Sequence, residues 1–267
     1  MTRLLACFAL PLLLAGMSGC GGATEEAPTS GNAPPASSDP VVAAPVEPEV
    51  AAPAEEDSRE TGTLHGVITF QGDVPAPRVI QATKDPEVCS AGEGEAQDVN
   101  VKDGKLSGAV VELSIRGKDL PDFRPPADGF VIRQKDCRFS PRLLVAYDGA
   151  ELVVHNDDKV PHNVNTGQWN LLQAPGGNPI KQPITYGGNS FMRVTCNIHS
   201  WMESWVYVAR SPFYAASDEA GEFTIVGIPA GTKIRGTVVH STLGRQKFYV
   251  DIKSGETTEQ NFEFEAK

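Results

Sequence analysis

The segment "VTCNIHSWMESW", Val194 to Trp205, sets a thiol, an imidazole and a thioether at intervals of three: Cys196, His199 and Met202. Upstream, "VPHNV" carries His162 and Asn163 just after an Asn-x-Asp turn. Three soft or borderline donors on one short loop are the raw material of a metal site, and the thioether argues against zinc, which prefers thiolate, imidazole and carboxylate. Each residue also has an ordinary use. A lone cysteine in a strand is commonly an inert buried thiol, and Met202 beside Trp201 could simply fill a core. What favours a metal is the loop together with the Pro-His-Asn stretch. Catalysis finds little support: there is no nucleophilic elbow, phosphate loop or paired-acid arrangement, and Asp157 and Asp158 read as turn acids. His65, His155 and His240 read as surface or hydrogen-bonded strand histidines, and Arg142 as a solvent-facing strand residue.

The elements that must position these residues are strands. From Thr61 onward short alternating runs such as "TLHGVITF", "GAVVELSI", "ELVVHN", "FMRVTC", "WVYVAR" and "KFYVDI" are broken by Gly, Pro, Asn and Asp at near-regular intervals. No stretch of helical length carries a helical stripe. The pattern predicts an all-β protein, sandwich or barrel.

The first twenty residues have a basic start at Arg3, an apolar run too short to span a bilayer, and small residues before Cys20, which reads as a secretory signal. Met17-Ser18-Gly19-Cys20 resembles the lipobox of bacterial lipoproteins, implying lipidation of Cys20, membrane attachment through that anchor, and a cell-envelope location, periplasmic or at the outer membrane. Residues 21–60 are Pro, Ala, Ser and acid without an aromatic residue, a composition that predicts a disordered tether. Of the formal net charge of −11, the first twenty residues contribute +1 and residues 21–60 contribute −8, which leaves −4 for the rest. That charge argues against nucleic acid as a partner. Of the five cysteines, Cys7 belongs to the signal, Cys20 to the lipid site and Cys196 to the metal loop; Cys89 and Cys137 remain, to be paired as a disulfide in an oxidising compartment or left as separate thiols.

Two family resemblances are interleaved. "GTLHGVITFQGD", "LSGAVVELSIRG" and "SDEAGEFTIVGIPAGTKIRGTVV" resemble the carboxypeptidase-regulatory-like, or carbohydrate-binding-like, β-sandwich. Between the second and third of these pieces, "FSPRLLVAYDGAELVVHNDDKVPHNVN" and "VTCNIHSWM" resemble the entry and the metal loop of a cupredoxin, of the amicyanin-like type 1 blue copper kind. The whole layout is similar to methylamine-utilisation-like lipoproteins of planctomycetes. The resemblance implies a Greek-key cupredoxin sandwich at 126–213, inserted into a second small β-sandwich at 61–125 and 214–267.

For the site, the resemblance implies one type 1 copper. His162 would be the buried first ligand, Cys196 the equatorial thiolate, His199 the ligand nearer solvent and Met202 the weak axial donor. Asn163 would hydrogen-bond toward the cysteine loop, and Trp201, beside His199, would form the electron port. The implied activity is electron transfer with a redox partner such as a c-type cytochrome or a dehydrogenase, and not an enzymatic reaction. Two other expectations compete: copper storage or delivery, and a carbohydrate-binding adhesion module with a structural metal, which would need exposed aromatic platforms among Phe213, Tyr214, Phe223, Phe248, Tyr249, Phe262 and Phe264.

Overall fold

The computed structural model describes residues 60–266 apart from 118, 119 and 189. The signal segment, Cys20 and the tether up to residue 59 lie outside the described residues. Within them the chain is all-β: strands in layered sheets, with one four-residue helix, Pro86–Cys89, and one short 3₁₀ turn, Ser90–Gly92.

The strand Thr61–Gln71 alternates half-buried and buried positions, as a side-chain period of two requires, and so delivers Leu64, Ile68 and Phe70 to one core. Glu222–Pro229 pairs with it antiparallel. Thr257–Glu259 and Phe262–Glu265 run parallel to it, and Lys105–Leu106 with Val101–Lys102 completes a six-stranded sheet. A Cβ at Gly66 would collide with the Gln260 carbonyl, so only glycine lets the returning chain approach there. A four-stranded sheet, Tyr214–Ala216, Val110–Leu113, Gly231–His240 and Gly244–Ile252, lies opposite, and Val111, Leu113, Val238 and Val250 meet Phe223 and Ile225 in the same hydrophobic cluster.

Between Phe130 and Ala209 two further sheets enclose a second core. One has Ile180–Pro183, Glu151–Asn156, Phe130–Lys135 and Arg138–Ser140; the other has Asn170–Gln173, His162–Asn165, Phe191–Thr195, Glu203–Ala209 and Leu143–Tyr147. Both contain a parallel pair, Phe130–Lys135 on Glu151–Asn156 and Leu143–Tyr147 on Glu203–Ala209, so neither is a simple meander. Ile132, Leu152, Val154, Val164, Val194 and Val206 form the hydrocarbon part of this core.

The two cores meet at a small cluster of Val110, Tyr207, Ala209 and Val239. There the Glu112 carboxylate accepts from the Tyr207 hydroxyl and from the Arg210 backbone N–H. Burial, with that carboxylate beside it, raises the Tyr207 hydroxyl far above the ordinary tyrosine range. One excursion crosses between the cores. Residues 81–93, held at the neck by the antiparallel pair Arg78–Ile80 and Gly94–Ala96, precede the insert in sequence but send Ala82, Val88 and Cys89 into the second core.

Candidate metal centre

His162 opens the strand His162–Asn165, and Cys196 directly follows Phe191–Thr195; the register places Asn165 opposite Thr195, which brings both side chains to the same end of the sheet. The loop after Cys196 is closed by its own backbone. The His199 N–H donates to Cys196 Sγ at 3.4 Å and the Met202 N–H to the His199 carbonyl at 3.0 Å. Asn163 ties the two strands together: its Oδ1 accepts from the N–H groups of Asn197 at 2.5 Å and Ile198 at 3.3 Å, its Nδ2 donates to Asn170 Oδ1, and its own N–H points at Cys196 Sγ at 3.5 Å. The thiol sulfur therefore sits in a cage of fixed donors.

The donor atoms converge. His162 Nδ1 and His199 Nδ1 lie 2.9 Å apart, and Cys196 Sγ lies 4.0 and 3.9 Å from them. Both histidines are 0% exposed, Cys196 2% and Met202 1%. Each imidazole is engaged at its far side: His162 Nε2 lies 2.8 Å from Asp158 Oδ2 and His199 Nε2 lies 2.8 Å from Asp85 Oδ2. A carboxylate only accepts, so both Nε2 atoms carry the proton and both Nδ1 atoms present lone pairs to each other. Two acceptors face to face at 2.9 Å in a buried site need either a shared proton or a metal ion between them, and the set of two imidazoles and a thiol, with Met202 on the same loop, fits copper. Burial pushes the His162 ring pKa down, against the upward pull of its hydrogen bond to Asp158.

Asp158 has further work. Asp136 and Cys137 form a two-residue hairpin loop with φ values of 53 and 52, the left-handed pair of a type I′ turn. Their N–H groups donate to Asp158 Oδ1 at 2.7 Å and Oδ2 at 2.9 Å, so one buried carboxylate holds a turn that costs roughly 1–2 kcal/mol per left-handed residue and orients His162. Cys137 is joined to Cys89 by a disulfide, and this cystine lies beside His199. The Trp201 ring stands 5.2 Å from that of His199, and its Nε1–H donates to the Cys137 carbonyl at 3.1 Å.

Two expectations need correction. His199 does not itself reach the surface: it is as fully buried as His162, with Asp85 on its outer nitrogen, although Asp85 is more exposed than the Asp158 behind His162. Arg142 is not simply solvent-facing either. It is paired with Asp98 and with Glu203, and Glu203 also receives Arg193. The remaining histidines stay apart from the centre. His65 contacts Thr224 across a strand pair, His155 is half-buried, and the His240 Nδ1 accepts the N–H groups of Thr242 and Leu243.

Sequence reading missed Asp158 and Asp85. The first left a signal, an acid four residues before a histidine in "DKVPH". Asp85 left none, being 114 residues from the side chain it holds.

No protein-family model and no curated protein matches the chain. Among solved structures, a reduced amicyanin variant is 20% identical, covering 38% of this chain and 98% of that one at a TM-score of 0.27. An oxidised amicyanin variant is also 20% identical, covering 36% and 98% at a TM-score of 0.27. A copper-containing nitrite reductase from Thermus scotoductus SA-01 is 16% identical, covering 37% and 25% at a TM-score of 0.25. Likenesses this low carry no functional weight, and the chemistry of the centre is read from the residues of this chain.

Proposed function

We propose that His162, Cys196 and His199 hold one copper ion through Nδ1, Sγ and Nδ1, with Met202 as the weak axial donor, and that the protein is a type 1 electron carrier of the cell envelope. The observation that carries this reading is the pair of buried Nδ1 atoms 2.9 Å apart beside a thiol sulfur, with both Nε2 atoms already committed to carboxylates. Copper in such a set supplies one-electron chemistry with little change of geometry. The chain's part is to fix the donors beforehand, through Asn163 and the two aspartates, and to exclude water. Four protein donors leave no open position for a substrate, which supports a carrier over an enzyme.

The proposed partner is a redox protein such as a c-type cytochrome or a dehydrogenase, with Trp201, half-buried against His199, as the port. Lipidated Cys20 would anchor the protein, and the acidic tether would give it reach. No helix among the described residues is long and apolar enough to cross a membrane. The carbohydrate-binding alternative is disfavoured by its own aromatic residues: Phe213, Phe223, Phe262 and Phe264 are core, Phe248 packs on that core, Tyr214 is half-buried, and Tyr249 alone is well exposed. A fully buried donor set also supports retention of copper over its delivery.

The test is one equivalent of Cu(II) added to the soluble part of the chain. An intense visible band should appear, vanish in Cys196→Ser, and persist in Met202→Leu at a raised potential. A colourless copper complex of the unaltered protein overturns the reading. Separately, Cys20→Ser should leave the colour intact while freeing the protein from membranes; unchanged partitioning would remove the anchor from the proposal.

A further inference from the structure

Asp85 departs from two local rules at once. It is the N-cap of the short helix Pro86–Cys89, yet its side chain makes no capping bond, and its backbone is left-handed at φ 50, ψ 48. An aspartate in that place ordinarily turns its carboxylate onto the N–H groups of its own helix. Here the carboxylate goes to His199 Nε2. A residue in sparsely populated backbone that forgoes its local partner is held there by its surroundings for another purpose.

Those surroundings fix the segment on every side. At its base the Ala82 N–H donates to Glu93 Oε1 at 2.8 Å, and the Cys89 N–H donates to the Asp85 carbonyl at 2.9 Å. The disulfide joins Cys89 to the Asp136–Cys137 turn. A Cβ on Gly92 would collide with the Asp136 carbonyl, so the segment seats only because that position is glycine. Arg138 then clamps the Gly92 and Glu95 carbonyls. The disulfide thus ties the loop that carries Asp85 to the turn held by Asp158, and these are the two carboxylates behind the two imidazoles.

The geometry points to residues 81–93 as a fixed cover over the metal centre, with Asp85 as the positioning residue for His199. Asp85 locks the Nε2–H tautomer, aims Nδ1 inward, and closes the outer edge of the ring to water and to incoming ligands. The inference rests on the copper reading above and adds to it that copper is kept by a lid from outside the metal-binding sandwich, one that does not move in ordinary turnover.

The experiment has a metal-free arm and a copper arm. In the metal-free protein, nitrogen-15 NMR should find the His199 proton on Nε2 and slow to exchange, and exchange should quicken in Asp85→Ala. In the copper protein, Asp85→Ala and Asp85→Gly should stay blue, release Cu(I) to a chelator about 10- to 100-fold faster, and show a higher reduction potential. Glycine relieves the left-handed backbone, so the metal-free Asp85→Gly protein should melt above Asp85→Ala while releasing copper as fast, which separates loss of positioning from damage to packing. Unchanged chelator rates and potential in both variants, or a His199 ring with no proton on Nε2, would overturn the cover. If the unaltered protein fails to bind copper at all, the electron-carrier reading fails, while the metal-free arm still decides the role of Asp85.

Discussion

The two sandwiches are both built from short β-strands and are held by different means. The first encloses almost pure hydrocarbon: Leu64, Ile68, Leu106, Leu113, Phe223, Ile228 and Val250 make its core. The second encloses a polar network as well, with His162, His199, Cys196, Asp158, Asn156, Gln134 and Gln173 all buried and joined to one another or to backbone. Hydrocarbon packing tolerates changes of shape if volume is kept, whereas deleting one member of a buried network strands its partner without a hydrogen bond, at a cost that low dielectric magnifies. Stability in the first sandwich is therefore spread over small exchangeable parts, and in the second it is concentrated in a few links that cannot be exchanged.

The disulfide is the largest such link. Cys89→Ala with Cys137→Ala reopens a loop with a sequence separation of 48, which chain entropy values at about 4 kcal/mol. All three tryptophans, Trp169, Trp201 and Trp205, lie in the second sandwich. Their fluorescence should thus report that loss in denaturant unfolding, while His240 resonances report the first sandwich much less changed. An equal loss in both would break the comparison.

Next in size is an acid effect confined to the first sandwich. Burial pushes the His240 pKa down to about 4, and its Nδ1 accepts two backbone N–H groups, which a protonated ring could not do. The unfolded chain takes up that proton near the ordinary histidine value and the folded chain does not. The contribution is complete above that value and is lost as the pH falls toward 4, by about 3 kcal/mol. Stability measured between pH 7 and pH 4.5 should fall less in His240→Gln than in the unaltered protein; identical slopes would show that the ring titrates freely.

The smallest effect expected is at the junction. Glu112→Gln keeps an acceptor for Tyr207 or Arg210 but removes the charge, and should cost about 1 kcal/mol with the copper colour unchanged. A loss of colour would mean that the two sandwiches are coupled more tightly than their shared contacts imply.

How far the sequence could be read follows from how local each signal is. Period-two alternation made the strands legible, and the spacing of Cys196, His199 and Met202 made the loop legible, because both are set by residues near in the chain. Asn163 was legible only through resemblance, since its partners Asn197 and Ile198 belong to another strand's loop. His199 was expected near solvent because nothing within its own loop hides it. What hides it comes from residues 81–93, and no periodicity links an aspartate on one excursion to an imidazole on another. Asp158 was read as a turn acid, which it is in part, because the turn it serves is the one at Asp136–Cys137 rather than its own.

The parallel pairing of Thr61–Gln71 with Phe262–Glu265 has a consequence for the order of events. The Val67 N–H is satisfied by Asn261, 194 residues away, so the first strand of the fold stays half-paired until nearly the whole chain is present. Contacts so distant in sequence close slowly, whereas residues 130–209 contain every strand of the second sandwich. In a chain emerging from its N-terminus, the second sandwich is therefore complete while the first is still waiting for its last strands, and an open apolar strand accompanies it through that interval. Leu64, Ile68 and Phe70 stay uncovered on that side until Phe262 and Phe264 arrive, and this is the interval in which the chain is most prone to aggregate.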